Sequence, residues 1–318
     1  MDSQGKRDGY AWLSVHMRCD SDTDVFLREG VFPILDALSH EFEIRRYFFL
    51  RYWMSGAHIR LRIRTRSEAM TELANALVGA TGNWLKEQTV VNPFAEEWYR
   101  QIAPELASRE HETGALPRWL PHGTVWVEPY VAETNKYGVG SSLDAFERQF
   151  CSSSMQARTV LSGRPTLPRL VSLVTMLMYR TWCDPTLRMG PEWVSRSKLV
   201  DRWRPASDNV NSNGLRLRMT PEQLASGAYL QASHGVPQWQ SDWVDSLVVL
   251  SRRLMTIELG DGKYRDDILE SRDHCVHLMC NRLGVTIGQE HAARAFAYEA
   301  VRRRVDKGAG SGDDVVHR

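Results

Sequence analysis

Residues 58 to 64 read His-Ile-Arg-Leu-Arg-Ile-Arg, a strict alternation of basic and aliphatic side chains. On an extended strand successive side chains leave opposite faces, so His58, Arg60, Arg62 and Arg64 share one surface and Ile59, Leu61 and Ile63 the other. A fold containing this segment must offer a sheet with one aliphatic side and one cationic side. Residues 10 to 18 (YAWLSVHMR) carry the same period of two. The run YFFLRYW, from position 47, reads as an aromatic strand that turns through MSGA into the cationic one, which predicts an antiparallel hairpin.

Between the first two strands, Val25, Phe26, Ile34, Leu35 and Leu38 recur at helical spacing, and residues 67 to 88 place Met70, Leu73, Ala74, Leu77 and Val78 on one helical face. Residues 124 to 131 (TVWVEPYV) read as a further strand. From about 165 onward the apolar period is helical through PRLVSLVTMLMYRTW, SDWVDSLVVLSRRLMTIEL, DDILESRDHCVHLMCNRLG and EHAARAFAYEAVRRRV. The expected class is α+β, an antiparallel sheet with flanking helices followed by a mainly helical second half. Residues 1 to 9 are expected to be flexible. Residues 10 to 305 form a single domain, sheet-rich to 150 and helical from 151, and 306 to 318 form a disordered tail. Pro93, Pro104, Pro117 and Pro121 break the pattern between 90 and 123, which reads as an insertion or lid.

Forty basic against thirty-nine acidic residues leave a net charge of +1, so no global cationic field draws nucleic acid or an anionic membrane to the chain. Five widely spaced cysteines without a CxxC pair exclude a disulfide framework and fit a reducing cytoplasm. No run approaches the roughly 20 apolar residues of a membrane helix.

Three segments carry chemistry-bearing side chains. The cationic strand is either a solvated sheet face or an anion-binding floor of guanidinium forks, and spacing alone does not choose. Residues 130 to 140 (YVAETNKYGVG) run from a strand into a glycine-containing turn bearing Glu133, Lys136 and Tyr137. That is a common setting for functional groups and equally for a plain turn. In SRDHCVHLMCNRL the side chains of His274, His277 and Asn281 stack on one helical side. HExxH is absent, so no metal is expected, and a histidine there suits either a structural or a proton-carrying role.

In this order, WLSVHM, VFPILDAL, YFFLRYWMSGAHIRLRIR, EPYVAETNKYG with a helix ending FERQF, and HLMCNRLGV resemble the C-terminal elimination domain of class I lanthipeptide dehydratases. That domain also occurs free-standing in thiopeptide-type bacteriocin pathways, and the likeness spans residues 10 to 300. The resemblance implies a lyase that expels glutamate from glutamylated serine or threonine in a ribosomal precursor peptide, leaving dehydroalanine or dehydrobutyrine. It implies Arg60, Lys136 and His277 as catalytic groups and His58, Arg62, Glu133, Tyr137, Asn281 and Arg282 around the substrate, with no cofactor. Lys136 stands where the family usually has arginine, and Val139 interrupts its paired glycines; lysine keeps the charge and loses the fork.

The partners implied are a leader-bearing precursor peptide and a separate protein that transfers glutamate from glutamyl-tRNA, so that this chain is half of a split dehydratase. A homodimer is compatible with the sequence. The resemblance also admits a pyridine synthase, which joins two dehydroalanines in a formal aza-cycloaddition with leader release, and a non-catalytic peptide-binding scaffold.

Overall fold

A computed structural model describes residues 9–90, 96–109, 116–184, 220–225, 237–257 and 264–310. The chain divides into two compact units, Met1–Gly140 and Ser141–Arg318. The architecture is α+β, with a four-stranded antiparallel sheet in the first unit and helices in the second.

The sheet comprises β1 (Tyr10–Arg18), β2 (Arg46–Tyr52), β3 (His58–Arg66) and β4 (Val125–Pro129) in the order β2-β3-β1-β4. β3 pairs with β1 through Arg60 opposite His16 and Arg62 opposite Ser14, and with β2 through Leu50 opposite Arg60 and Phe48 opposite Arg62. That register puts Leu13, Val15 and Met17 on the same face as Ile59, Leu61, Ile63 and Phe49, all of them buried. Helix α3 (Met70–Lys86) covers this apolar face against β1 and β4, burying Leu73, Leu77 and Leu85.

The helical segment before it runs through α1 (Thr23–Val25), a π-turn at Phe26–Val31, and α2 (Phe32–Leu38). Pro33 explains the wide turn. It has no N–H to give the preceding turn and its ring would strike the carbonyl four residues back, so the ladder opens ahead of it. The Phe26 ring lies 5.1 Å from Trp84 and Phe32 lies 5.6 Å from Phe49, joining helix to sheet.

The proline-punctuated segment contains a 14-residue helix, α4 (Glu96–Arg109), with Pro104 inside it. Its buried side is Tyr99, Ala103 and Ala107, four residues apart, and alanine gives too little hydrophobic signal to mark a helix by periodicity. The Tyr99 hydroxyl accepts from the Ser55 N–H at 3.1 Å and donates to the Pro117 carbonyl at 3.0 Å, tying α4 to the β2–β3 turn. The short α5 (Thr134–Tyr137) ends at Gly138, whose φ of 72° is glycine's territory.

In the second unit α6 (Ser141–Ser162), α7 (Leu167–Cys183), α8 (Pro221–Ala225), α9 (Gln238–Ile257), α10 (Tyr264–Arg282) and α11 (Ile287–Gly310) pack around Val174, Leu177, Leu247, Val276, Met279 and Ala297. The Trp243 indole donates to the Thr181 hydroxyl at 3.1 Å and pins α9 to α7. α11 continues to Gly310, beyond the last apolar repeat, and residues 311–318 of the expected tail lie outside the described residues, as do residues 1–8.

The β2–β3 turn is the tightest point of the first unit. Gly56 has φ +95°, and a Cβ there would sit 2.8 Å from the Arg18 Cζ. Arg18 is fully buried and cannot swing away, because its guanidinium binds Asp20, the Ala57 carbonyl at 2.9 Å and the Leu120 carbonyl at 3.1 Å. Gly56→Ala is expected to cost on the order of 1–3 kcal/mol in chemical denaturation through backbone strain and the displaced guanidinium. An unchanged midpoint would refute this account of the turn.

Candidate functional site

The second face of the sheet carries the chemistry. The strand register lays Trp12, Ser14, His16, Phe48, Leu50, Tyr52, Trp126 and Glu128 beside His58, Arg60, Arg62 and Arg64. Polar alternation normally marks a solvent face, yet this one is largely buried, with His16 only 3% exposed, His58 4% and Arg62 8%. The solvated-face reading of this strand is thereby overturned.

Burial strips water from the guanidiniums and holds the pKa of both Arg60 and Arg62 below the usual arginine value, and the charge of Arg60 adds to the effect on Arg62. What lies against them is aromatic. The Arg60 guanidinium sits 3.2 Å from the centre of the Tyr52 ring, and that of Arg62 lies 5.5 Å from Phe48 and 5.2 Å from Tyr130. Rings accept the cation through their π faces but leave N–H groups at the guanidinium edge. The buried Nε atoms of Arg60 and Arg62 have no hydrogen-bond partner among the described residues.

Between these cations stands a chain of hydrogen bonds that assigns its own protons. His58 Nδ1 lies 2.9 Å from the Gly56 carbonyl, which only accepts, so that nitrogen carries the hydrogen. Burial, helped by the Arg60 charge and opposed by the carbonyl bond, lowers the His58 pKa to about 3 and leaves the ring neutral with a lone pair at Nε2. His16 Nδ1, 3.2 Å away, must donate to that lone pair. His16 is likewise pushed down to about 3 by burial and by Arg60 and Arg62. Its Nε2 therefore accepts from the Ser14 hydroxyl at 3.1 Å. The two imidazoles stack 5.2 Å apart, each about 5 Å from the Trp126 ring.

Glu133 is exposed, yet its charge is felt at both Arg60 and Arg62, and the buried Tyr137 phenol acts electrostatically on Arg62. The structure thus brings His58, Arg60, Arg62, Glu133 and Tyr137 into one neighbourhood. Lys136 is exposed, its ammonium 3.5 Å from Glu133 and 5.7 Å from the Tyr137 ring.

His277, Asn281 and Arg282 belong to α10 in the second unit. Arg282 is wholly buried, donating from Nε to the Ser154 hydroxyl at 3.0 Å and lying 5.7 Å from the Phe150 ring, while Asn281 is half-buried. The His277 side chain is 29% exposed, with its ring 6.0 Å from that of His274, and its Nδ1 lies 2.9 Å from a carboxylate oxygen of the buried Glu290. Among the described residues no cluster of three metal-ligating side chains occurs, and no helix is long and apolar enough to cross a membrane.

Sequence reading missed Ser14, His16 and Trp126, which reach the face only through cross-strand register, and Glu290, thirteen residues beyond its histidine. The period of two in YAWLSVHMR does put Trp12, Ser14 and His16 on one side, but a lone strand does not say which neighbour it faces.

The family model for the lantibiotic biosynthesis dehydratase C-terminal region matches residues 12–303. The chain belongs to that family. Members of this dehydratase C-terminal family take part in the enzymatic modification of leader-bearing precursor peptides. Among solved structures, the chain is similar to TbtD, a pyridine synthase from thiomuracin biosynthesis, at 20% identity and a TM-score of 0.66 over 93% of this chain and 98% of that one. It is similar to MibB, a tRNA-dependent lantibiotic dehydratase from Microbispora sp. 107891, at 20% identity and a TM-score of 0.55, covering 95% of this chain but 29% of MibB. TsrL aligns with a TM-score of 0.53 at 14% identity over 93% of this chain and 96% of that one. Likeness at these identities establishes the fold. No curated protein sequence matches the chain.

The two neutral imidazoles give acid stability a defined sign. Their folded pKa values lie below the unfolded value of 6.5, so between pH 6.5 and about 3 the unfolded chain binds more protons and stability falls as pH drops. Each ring contributes up to about 1.4 kcal/mol per pH unit. Urea midpoints measured from pH 7 to pH 5 should decline, and His58→Asn should flatten the slope. A midpoint independent of pH across this window would contradict the assigned protonation.

Proposed function

We propose that the chain is a lyase that expels glutamate from glutamylated serine or threonine residues of a precursor peptide. The observation that carries the reading is the guanidinium pair of half-buried Arg60 and buried Arg62, whose buried Nε atoms have no hydrogen-bond partner among the described residues. A guanidinium largely removed from water that still carries an unbonded N–H is a strong receptor for an incoming carboxylate, because the interaction grows as the dielectric falls. In the elimination, a base removes the α-proton, that C–H electron pair becomes the Cα=Cβ bond, and the Cβ–O bond breaks to give a glutamate carboxylate. Negative charge appears first on the adjacent carbonyl and then on the leaving group, and donors already in place lower the barrier to both.

In this reading Arg60 and Arg62 receive the anion, Glu133, Tyr137 and His58 shape the surroundings, Lys136 adds a point charge at the rim, and His277 carries the proton. Asn281 and Arg282 support the His277 helix. A separate glutamyl-tRNA-dependent protein supplies the ester, and the leader peptide brings the substrate.

The aromatic rings around the cations, Trp12, Phe48, Tyr52, Trp126 and Tyr130, favour a second reading, a pyridine synthase that needs flat walls for a heterocycle-rich peptide. Mass spectrometry separates the two. A synthetic peptide carrying a glutamyl ester on serine should lose one glutamic acid per site, and Arg60→Ala or His277→Ala should slow that loss by about 10²-fold or more. Turnover only of a peptide that already contains dehydroalanines would establish cycloaddition instead. Peptide binding without chemistry, indifferent to both substitutions, would establish a scaffold.

A further inference from the structure

His277 is held by a buried charge network within the second unit. Its Nδ1 stands 2.9 Å from one oxygen of Glu290, and the other oxygen of that carboxylate accepts from Arg294 Nε at 3.0 Å and Nη2 at 2.8 Å. Arg294 in turn binds the Asp273 carboxylate through Nη1. Glu290 and Asp273 are each 2% exposed and Arg294 5%. The nearby imidazoles are His274, on the same helix, and His291, adjacent to Glu290; burial lowers the His291 pKa, opposed by the Glu290 charge.

Within these contacts His277 and Arg294 both approach the Glu290 carboxylate, one at each of its oxygens. Glu290 is held ionised despite burial, by His277 and Arg294 together. An ionised carboxylate only accepts hydrogen bonds, so the hydrogen on His277 must sit at Nδ1. The proton exchanged in any reaction must then enter and leave at Nε2.

We propose that Glu290 is the positioning residue for His277, fixing the tautomer that puts its basic lone pair at Nε2 and stabilising the imidazolium formed when the ring takes a proton. This rests on the proton-transfer role given to His277 above. At that atom the ring receives the α-proton of the peptide ester, the C–H electrons close the new double bond, and glutamate leaves with the Cβ–O pair. Arg294 holds the carboxylate in place through two hydrogen bonds to its other oxygen, and Asp273 touches neither Glu290 nor His277 in the contacts described. The logic is that of an acid–base histidine oriented by a buried carboxylate, where replacing the carboxylate by its amide admits the wrong tautomer.

The test uses the full chain labelled with 15N-histidine and three variants, Glu290→Gln, Asp273→Asn and His277→Ala, with turnover measured on a synthetic peptide carrying a glutamyl ester on serine. The neutral His277 of the parent should show its proton on Nδ1. Glu290→Gln should mix the tautomers and lower kcat by about 10²- to 10⁴-fold, with KM changed less than about threefold. Asp273→Asn cuts the same network from its far side and should leave both tautomer and kcat near those of the parent. If the network is merely structural, Glu290→Gln and Asp273→Asn will behave alike, which overturns the proposal. A parent His277 with its proton on Nε2 overturns it without recourse to any variant that fails to fold. Inactive His277→Ala beside fully active Glu290→Gln defeats the role of Glu290 alone, whereas unimpaired His277→Ala removes the proton-transfer reading beneath it.

Discussion

The first unit depends on β3 burying both of its faces. On one side Ile59, Leu61 and Ile63 have no solvent exposure, as the hydrophobic effect demands. On the other side a row of guanidiniums is taken out of water, which costs free energy unless something replaces the lost hydration. Carboxylates would serve if stability alone were at stake, since they fill the guanidinium fork with two hydrogen bonds. Arg60 and Arg62 are instead laid over aromatic rings, which offset part of the desolvation while the Nε atoms have no hydrogen-bond partner among the described residues. The ordering of charge, ring and imidazole on this face follows from that choice.

The imidazoles obey the same constraint. Burial disfavours charge on these rings, and a protonated histidine beside Arg60 would add a like charge where water screens it poorly, so His16 and His58 are held neutral. Neutral rings still need partners for both nitrogens. The Gly56 carbonyl at one end and the Ser14 hydroxyl at the other complete the chain without adding charge. Gly56 is therefore doubly constrained: its positive φ turns the hairpin and its carbonyl sets the tautomer of His58. A turn that serves backbone geometry alone would not need that carbonyl to point inward.

The alternation of residues 58 to 64, the hairpin before it and the helical periods after 165 were all legible because each depends on neighbours close in sequence. What was not legible depends on register or on small residues. His16 meets His58 because β1 and β3 pair antiparallel with Arg18 opposite His58, a fact that neither strand states by itself. α4 escaped notice because its buried stripe is Tyr99 with two alanines, and Pro33 gave no sign of the π-turn ahead of it. Glu290 lies in the first turn of α11, where an acidic residue is usual for the helix dipole, and nothing in its sequence context distinguishes that ordinary use from a bond to His277.

Lys136 shows how the two kinds of cation divide the work. An arginine at this place would bring a planar fork, whereas lysine brings a hydrated point charge on a flexible stem. Here it is exposed and already 3.5 Å from Glu133, so solvent and its own partner weaken what it can offer an incoming anion. Arg60 and Arg62 are less exposed than Lys136, and their Nε atoms have no hydrogen-bond partner among the described residues, although the charge of Glu133 reaches both. Glu133 lies 3.5 Å from the Lys136 ammonium on one side, and its charge is felt by both arginines on the other. In a low-dielectric setting two like-charged carboxylates do not share one pair of guanidiniums cheaply. Glu133, 3.5 Å from the Lys136 ammonium, has a cation of its own outside that pair of guanidiniums, and both partners are exposed, so the pair is weak and easily rearranged.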